Sequence, residues 1–302
     1  MRVTVTGATG LIGTRLVAAL ARRGDEVTVL SRDPARARER LGSGILAERW
    51  DPLGEPAPVS ALAGRDGVIH LAGEPVAQRW SAAAKERIRT SRESGTANLV
   101  AGLRSAEPRP PVLVSASAVG YYGPRGDEEV TESDSPGTDF LAEVCVAWER
   151  AAQAAGELGM RVAIVRTGVV LDPDGGALEK MLPPFRAGVG GPLAGGKQWM
   201  PWIHVDDLVG LYLAALDGDA WSGPLNGSAP APVTNRDFSK ALGHALHRPA
   251  VAPVPRLALR ALYGEMEQVV TTGQRAVPTR PLALGHTFAH AELDEALRSA
   301  LA

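Results

Sequence analysis

The sequence predicts an α/β fold, a doubly wound parallel sheet carrying a smaller C-terminal lobe. Three observations predict it: a strand, a helix and a second strand within the first 32 residues; apolar strands alternating with helices as far as Arg166; and a dense scatter of glycine and proline after that point. Val3 and Val5, followed by Gly7, mark a short buried strand that ends in a turn. Leu11, Ile12, Leu16, Val17 and Leu20 recur at helical spacing, and Gly24 stops that helix. Val27, Val29 and Leu30 form the second strand. Val68 to Leu71 is another, running into Ala72 and Gly73. A helix from Trp80 to Leu103 follows and is broken by Pro108 to Pro111. Val112 to Ser115 is a strand, Phe140 to Leu158 a helix, and Val162 to Val165 a strand again. Strands and helices in this alternation give a parallel sheet covered on both faces. The glycine- and proline-rich stretches from Gly168 to Pro201 and Gly223 to Pro232 suit loops and short helices placed over the sheet edge.

Bulk properties narrow the function. The 302 residues are 45% hydrophobic and 22% charged, with a formal net charge of -2, so neither nucleic acid nor an anionic membrane is expected as partner. Cys145 is the only cysteine, which excludes a disulfide framework and a cysteine-rich metal site. No apolar run reaches the roughly 18 residues of a membrane helix, and a strand pattern from Arg2 leaves no space for a secretory signal. A cytoplasmic location is expected.

The segment Val5-Thr6-Gly7-Ala8-Thr9-Gly10-Leu11-Ile12-Gly13 places three glycines in the order G-x-x-G-x-x-G, after a strand and at the opening of a helix. In that context they form the Rossmann dinucleotide fingerprint: Gly7 permits the tight turn, Gly10 lets backbone approach a pyrophosphate, and Gly13 lets helix and strand pack closely. The N–H groups at the helix start, with Thr9, Leu11 and Ile12 around them, face the phosphates. The second strand ends Val29-Leu30-Ser31-Arg32. An NAD site usually places an acid there for the ribose 2′-OH, whereas Ser31 and Arg32 suit a 2′-phosphate, which favours NADP(H). The competing reading gives the ribose hydroxyls to Asp33 and leaves Arg32 in solvent.

Beyond the glycine loop, His70-Leu71-Ala72-Gly73, Ser115-Ala116-Ser117 and Trp202-Ile203-His204-Val205-Asp206-Asp207 resemble the extended short-chain dehydrogenase/reductases of the NAD-dependent epimerase/dehydratase superfamily. More narrowly, Trp80 to Arg92, Ser115 to Gly123, Phe140 to Cys145 with Trp148-Glu149, Arg166 to Leu171, and Gly196 to Trp199 are similar to an uncharacterised group of epimerase family proteins. Those carry a C-terminal domain of unknown function, here from about Ala250. The resemblance covers essentially the whole chain. It implies an NADP-binding Rossmann domain over residues 1–170, with 200–225 returning to it, and a substrate-side lobe of 171–199 and 226–302. It also implies that Leu71, Ala72 and Gly73 touch the cofactor. A small-molecule substrate is implied but not identified, and no oligomeric state follows.

One departure is plain. Active members of the superfamily carry a Tyr-x-x-x-Lys pair on the helix after the Ser115 strand, but Phe140 to Glu149 holds neither residue, and no lysine lies between Lys85 and Lys180. Replacement groups for acid–base work are Tyr121, Tyr122 and Glu143, the last expected to face inward with a raised pKa, while Ser115 orients the reacting oxygen. Packing tyrosines and an exposed glutamate are the alternative. Ser117, Gln198, Trp199 and Trp202 are candidate substrate contacts, the last three in a loop at the lobe junction that could close over a ligand. Cys145 reads as inert packing, His70 and His204 as hydrogen-bonded core groups, and Asp206 or Asp207 as the cap of the following helix. No metal site is expected. Two functions remain: an NADP(H)-dependent oxidoreductase or epimerase with non-standard acid–base residues, and a catalytically silent cofactor-binding scaffold or redox sensor.

Overall fold

Alternation of valine and threonine in Arg2–Thr6 sets the first strand, β1. Val3 and Val5 join the apolar core on one face, while Thr4 and Thr6, equally buried, turn polar side chains to the other. Thr4 Oγ1 donates to the Ala61 carbonyl and Thr6 Oγ1 bonds His70 Nδ1, so neither hydroxyl is left unsatisfied. The structure is a computed structural model that describes residues 1–42 and 44–302. Helix α1 (Leu11–Arg22) buries Gly13, Leu16, Val17 and Leu20 on the sheet. Strand β2 (Glu26–Ser31) follows, then helix α2 (Pro34–Leu41) and strand β3 (Leu46–Arg49).

Strands β4 (Gly67–His70) and β5 (Val112–Ala118) flank the long helix α3 (Ala82–Ser105). A two-residue strand β6 (Glu129–Val130), helix α4 (Phe140–Gln153) and strand β7 (Arg161–Thr167) come next. All pairings within the central sheet are parallel, and its spatial order is Gly223–Gly227, β7, β5, β4, β1, β2, β3. The order reverses beside β1, so the crevice at the carboxyl ends of β1 and β4 is the place where such sheets bind ligands.

Helix α6 (Val205–Asp217) packs with α1 on one face, and α3 packs with α4 on the other. The C-terminal part has a separate core, built from helix α5 (Gly176–Arg186), strand Trp202–His204, helix Asn235–Ala245 and the last helix, Leu293–Leu301. No helix is long and apolar enough to cross a membrane, among the described residues.

Two boundaries differ from expectation, and two elements were not expected. The helix expected from Trp80 starts at Ala82, because Ser81 accepts the Ala84 N–H and caps it. The helix expected to run to Leu158 stops at Gln153 and finishes in a separate 3₁₀ turn, Gly156–Leu158. Helix α2 and strand β3 had no counterpart in the sequence reading. Only Ala37 of Pro34–Leu41 is buried, so that helix carries no apolar period, and its start is set by the Asp33 cap and Pro34.

Candidate functional site

The three glycines at the end of β1 do three different things. Gly7 adopts φ +67°, and a Cβ there would lie 2.6 Å from the Leu71 carbonyl carbon and 2.7 Å from the Ala72 nitrogen. A Cβ on Gly13 would strike the Gly7 carbonyl oxygen at 2.4 Å. At Gly10 the same atom would meet only that oxygen, at 3.3 Å, and otherwise open space. Gly7 and Gly13 are therefore closed by this protein's own backbone, while Gly10 keeps a gap in front of the helix. Gly10 caps α1 without a side-chain hydrogen bond. A bare helix start beside a gap is an anion site, since the first-turn N–H groups and the helix dipole both favour negative charge. Thr9, Leu11 and Ile12 are half-buried around it.

Leu71, Ala72 and Gly73 lie directly against this loop. The Leu71 and Ala72 N–H groups both point at Thr6 Oγ1, each at 3.3 Å. At the tip of β2, Ser31 Oγ exchanges hydrogen bonds with the Asp33 backbone at 3.1 and 3.2 Å, and the Asp33 carboxylate accepts the Arg36 N–H at 3.0 Å. Asp33 is thus committed to capping α2. Arg32 is exposed and makes no ion pair among the described residues. The cation, not the acid, is free at the strand tip.

A second group of residues lies at the ends of β5 and β7. Arg166 donates from Nε and Nη2 to the two oxygens of Glu149, both at 2.9 Å, and Ser117 Oγ donates to the same carboxylate at 2.6 Å. Tyr122 accepts from Arg166 Nη1 at 3.0 Å and donates to Asn226 Oδ1 at 2.7 Å. The Arg166 guanidinium also lies 3.4 Å from the centre of the Tyr121 ring. Burial alone would lower the Arg166 pKa, but the Glu149 hydrogen bonds and charge raise it above its ordinary value. Glu149 sits in phase with Ala142, Cys145 and Ala152 on the buried face of α4. That helical phase was the signal available in the sequence, and the sequence reading did not use it.

The structure corrects five expectations. Glu143 does not face inward: its side chain is 56% exposed and pairs with Arg89 at 3.2 Å, because it falls outside the buried face of α4. Tyr122 is buried, its pKa pushed up to about 12 by that burial, and its O–H is already given to Asn226, so it presents no proton to a ligand. Ser117 spends its hydroxyl on Glu149 and does not reach outward. Trp202 is wholly buried in the C-terminal core, its indole donating to the Ala231 carbonyl at 3.0 Å. Ser115 is also wholly buried, with only a long 3.3 Å contact to the Ala116 carbonyl. Tyr121 remains half-buried, with no hydrogen bond to its phenol among the described residues.

Gln198 and Trp199 brace the lobe. Gln198 Nε2 donates to the carbonyls of Leu193 and Val270 at 3.1 and 2.8 Å, and the Trp199 indole donates to Asp127 at 2.8 Å. Cys145 is buried, and burial pushes its thiol up to about 12, so it is not a nucleophile. His70 is a core group held between Thr6 Oγ1 at 2.7 Å and Thr96 Oγ1 at 2.9 Å, with burial lowering its pKa to about 4. The α6 cap is His204, whose Nδ1 accepts the Asp206 N–H at 3.2 Å; neither aspartate fills that role.

Arg92 was missed altogether. It lies in phase with the buried Ile88, Thr96 and Leu99 of α3, and its guanidinium sits over the Trp148 ring at 4.9 Å. It donates to the Glu74 carbonyl at 2.9 Å and would be 3.2 Å from a Cβ on Gly73. Burial holds its pKa below the ordinary value, and no acid forms a salt bridge with it among the described residues. From here the segment 74–81 reaches over to the C-terminal lobe. Lys180 Nζ donates to the Ala77 carbonyl at 2.8 Å, Arg79 donates to the Ala261 carbonyl at 2.6 Å, Trp80 pairs with Gly264, and Lys85 bonds Glu265.

Residues 3–223 match the family model described as the NAD dependent epimerase/dehydratase family, and residues 254–300 match a domain of unknown function. The chain is 42% identical over 306 residues to the chloroplastic epimerase family protein SDR39U1 homolog of Arabidopsis thaliana, spanning 99% of this chain and 86% of the relative. It is 41% identical over 308 residues to the epimerase family protein SDR39U1 of Mus musculus, spanning 100% of both. Among solved structures it resembles human epimerase family protein SDR39U1 (isoform 2), crystallised with NADPH, with a TM-score of 0.89, 36% identity and 99% of each chain covered.

Proposed function

The chain belongs to the NAD dependent epimerase/dehydratase family, and from that membership we propose that it binds NADP(H) and acts as an oxidoreductase or epimerase on a small molecule, without a Tyr-x-x-x-Lys pair. One observation carries the cofactor choice: at the tip of β2, Asp33 is spent on capping α2 while Arg32 is exposed and free of ion pairs among the described residues. The human relative crystallised with NADPH supports the same choice. The open space at Gly10 and the uncapped start of α1 fit a pyrophosphate. NADP(H), when bound, supplies or accepts hydride. Arg32, with Ser31 beside it, would hold its 2′-phosphate, and Leu71 to Gly73 would border its ribose.

Tyr121 is the acid–base group in this reading. Its ring is pinned by the Arg166 guanidinium, and its hydroxyl has no hydrogen-bond partner among the described residues. Arg92, with no acidic partner beside Gly73 and Glu74, is placed to receive an anionic group. A cytoplasmic location belongs to the same proposal and is tested by imaging the tagged chain.

Two measurements test the function. NADPH and NADH are titrated against the wild type and Arg32→Ala. NADPH should bind more tightly, and Arg32→Ala should cost it about tenfold or more, as expected for a charged hydrogen bond worth ~1.5–3 kcal/mol. Equal wild-type affinities overturn the NADP(H) preference. NADPH oxidation with a carbonyl panel then compares Tyr121→Phe with the wild type, and a loss of ~100- to 10,000-fold is expected for a general acid. Full activity of Tyr121→Phe removes that assignment. Tight NADPH binding with no turnover on any carbonyl replaces the enzyme with a cofactor-binding scaffold.

A further inference from the structure

Away from the cofactor crevice, the end of strand Trp202–His204, the first turn of α6 and the segment before the last helix bring two histidines and a carboxylate together. One nitrogen of His204, one of His290 and an oxygen of Asp206 all lie within 4.8 Å of one another. His204 Nδ1 and Asp206 Oδ2 are 3.7 Å apart. Two ligands of one ion, each at about 2.1 Å from it, have nearly that spacing.

Two further observations point to a ligand. His204 Nε2 and His290 Nδ1 are buried and have no hydrogen-bond partner, and the His204 side chain is only 4% exposed. Buried ring nitrogens are normally satisfied, so the orphan His290 Nδ1 needs an explanation, while on His204 it is the other nitrogen, Nδ1, that faces Asp206. His290 is also held in place by its backbone: the Ala289 and His290 N–H groups donate to the Asp207 carboxylate at 2.7 and 2.9 Å. The residues of the cluster are therefore anchored without any ion, one on a strand, one on a helix and one on a clamped segment.

We propose that His204, Asp206 and His290 form a binding site for a divalent transition-metal ion of the zinc type. Two imidazoles and one carboxylate suit zinc, and the set leaves a fourth position for water. The two rings now stack, with centres 3.9 Å apart and planes tilted by 37°. In this site His290 supplies one ring nitrogen, and His204 Nδ1 exchanges its long bond to the Asp206 N–H for the metal. The ion then ties the segment before the last helix to α6, which itself packs on α1. From sequence, one histidine beside two aspartates predicts no metal; His290, 86 positions from His204, joins them only through the fold.

The full chain, stripped with chelator, is titrated with zinc chloride by calorimetry, and its melting temperature is followed in parallel. One saturable site per chain and a raised melting temperature are expected. His290→Ala and Asp206→Asn should each weaken binding at least about tenfold while melting like the metal-free wild type. The exposed His244 and His247 are a control: changed to Ala and Asn, they should leave binding intact. Anomalous diffraction at the zinc edge should place the ion between His204 and His290. No saturable wild-type binding overturns the proposal. So does unchanged affinity in both ligand variants, or loss of binding in the His244/His247 control, which would put the ion on the surface.

Discussion

The glycine loop after β1 and the charged cluster around Arg166 lie at the same end of the same sheet, yet they are built on opposite principles. The loop is made of backbone: Gly7 and Gly13 are defined by what a side chain would hit, and Gly10 by what it would not. The cluster is made of side chains: Ser117, Tyr122, Glu149, Arg166 and Asn226 satisfy one another and leave almost nothing exposed. A site that binds a large ligand through backbone amides must keep its side chains out of the way. A buried polar cluster must fill itself, because an unmet charge there is costly.

The most severe way to break the loop separates its glycines. Gly10→Val should abolish NADPH binding while circular dichroism stays native, because the new side chain enters open space in front of α1. Gly13→Val should instead fail to fold, since it drives into the Gly7 backbone at 2.4 Å. If both variants fold and bind, the loop is not the cofactor cradle. For the cluster, Glu149→Ala strands Arg166 without its bidentate partner. A loss of ~3–5 kcal/mol in urea unfolding is expected, as for other broken buried pairs. An unchanged midpoint would mean that water reaches Arg166 freely.

His70 offers a test that depends on pH. Its pKa is lowered by burial from 6.5 to about 4 in the folded chain, so below pH 6.5 the unfolded chain takes up the proton first. Stability present above pH 6.5 is lost as the pH falls towards about 4, on the order of 3 kcal/mol from this group. His70→Gln should flatten that part of a pH–stability curve, and a curve identical to wild type counts against a neutral buried His70. The smallest effect is expected at Glu143→Gln. Its surface pair with Arg89 is worth ~0.2–1 kcal/mol, and the variant should keep full activity and nearly full stability.

How far each region could be read in the sequence follows from the same contrast. The glycine spacing, the strand before it and the helix after it are local, so Gly7, Gly10 and Gly13 were identifiable from nine consecutive residues. Most of the parallel sheet was legible for a similar reason, because β1, β2, β4, β5 and β7 are short apolar runs between helices; β3 and the edge strand Gly223–Gly227, expected as a glycine-rich loop, are not. The charged cluster joins residues that are 17 to 104 positions apart, and no local pattern links Ser117 to Glu149 or Tyr122 to Asn226. Glu143 drew notice as a charge on an apolar stretch, but helical phase, which singles out Glu149, decides which carboxylate is inside. Arg92 was hidden in the same way, as one arginine among several on α3 whose phase matches the buried Ile88 and Thr96.

The segment 74–81 has a consequence in time. It starts beside the cofactor loop and is tied to the C-terminal lobe by side-chain bonds from Lys180 and Arg79 and by the Trp80–Gly264 backbone bridge, while Lys85, just beyond it on α3, bonds Glu265. Anything lodged beneath it leaves only when several of these let go together, and concerted release is slow compared with the loosening of any one. A nucleotide held there is expected to exchange with its pool at a rate set by that release. Chain isolated rapidly from cells should carry nicotinamide with it, visible by fluorescence, and Lys180→Ala with Arg79→Ala should shed it during gel filtration.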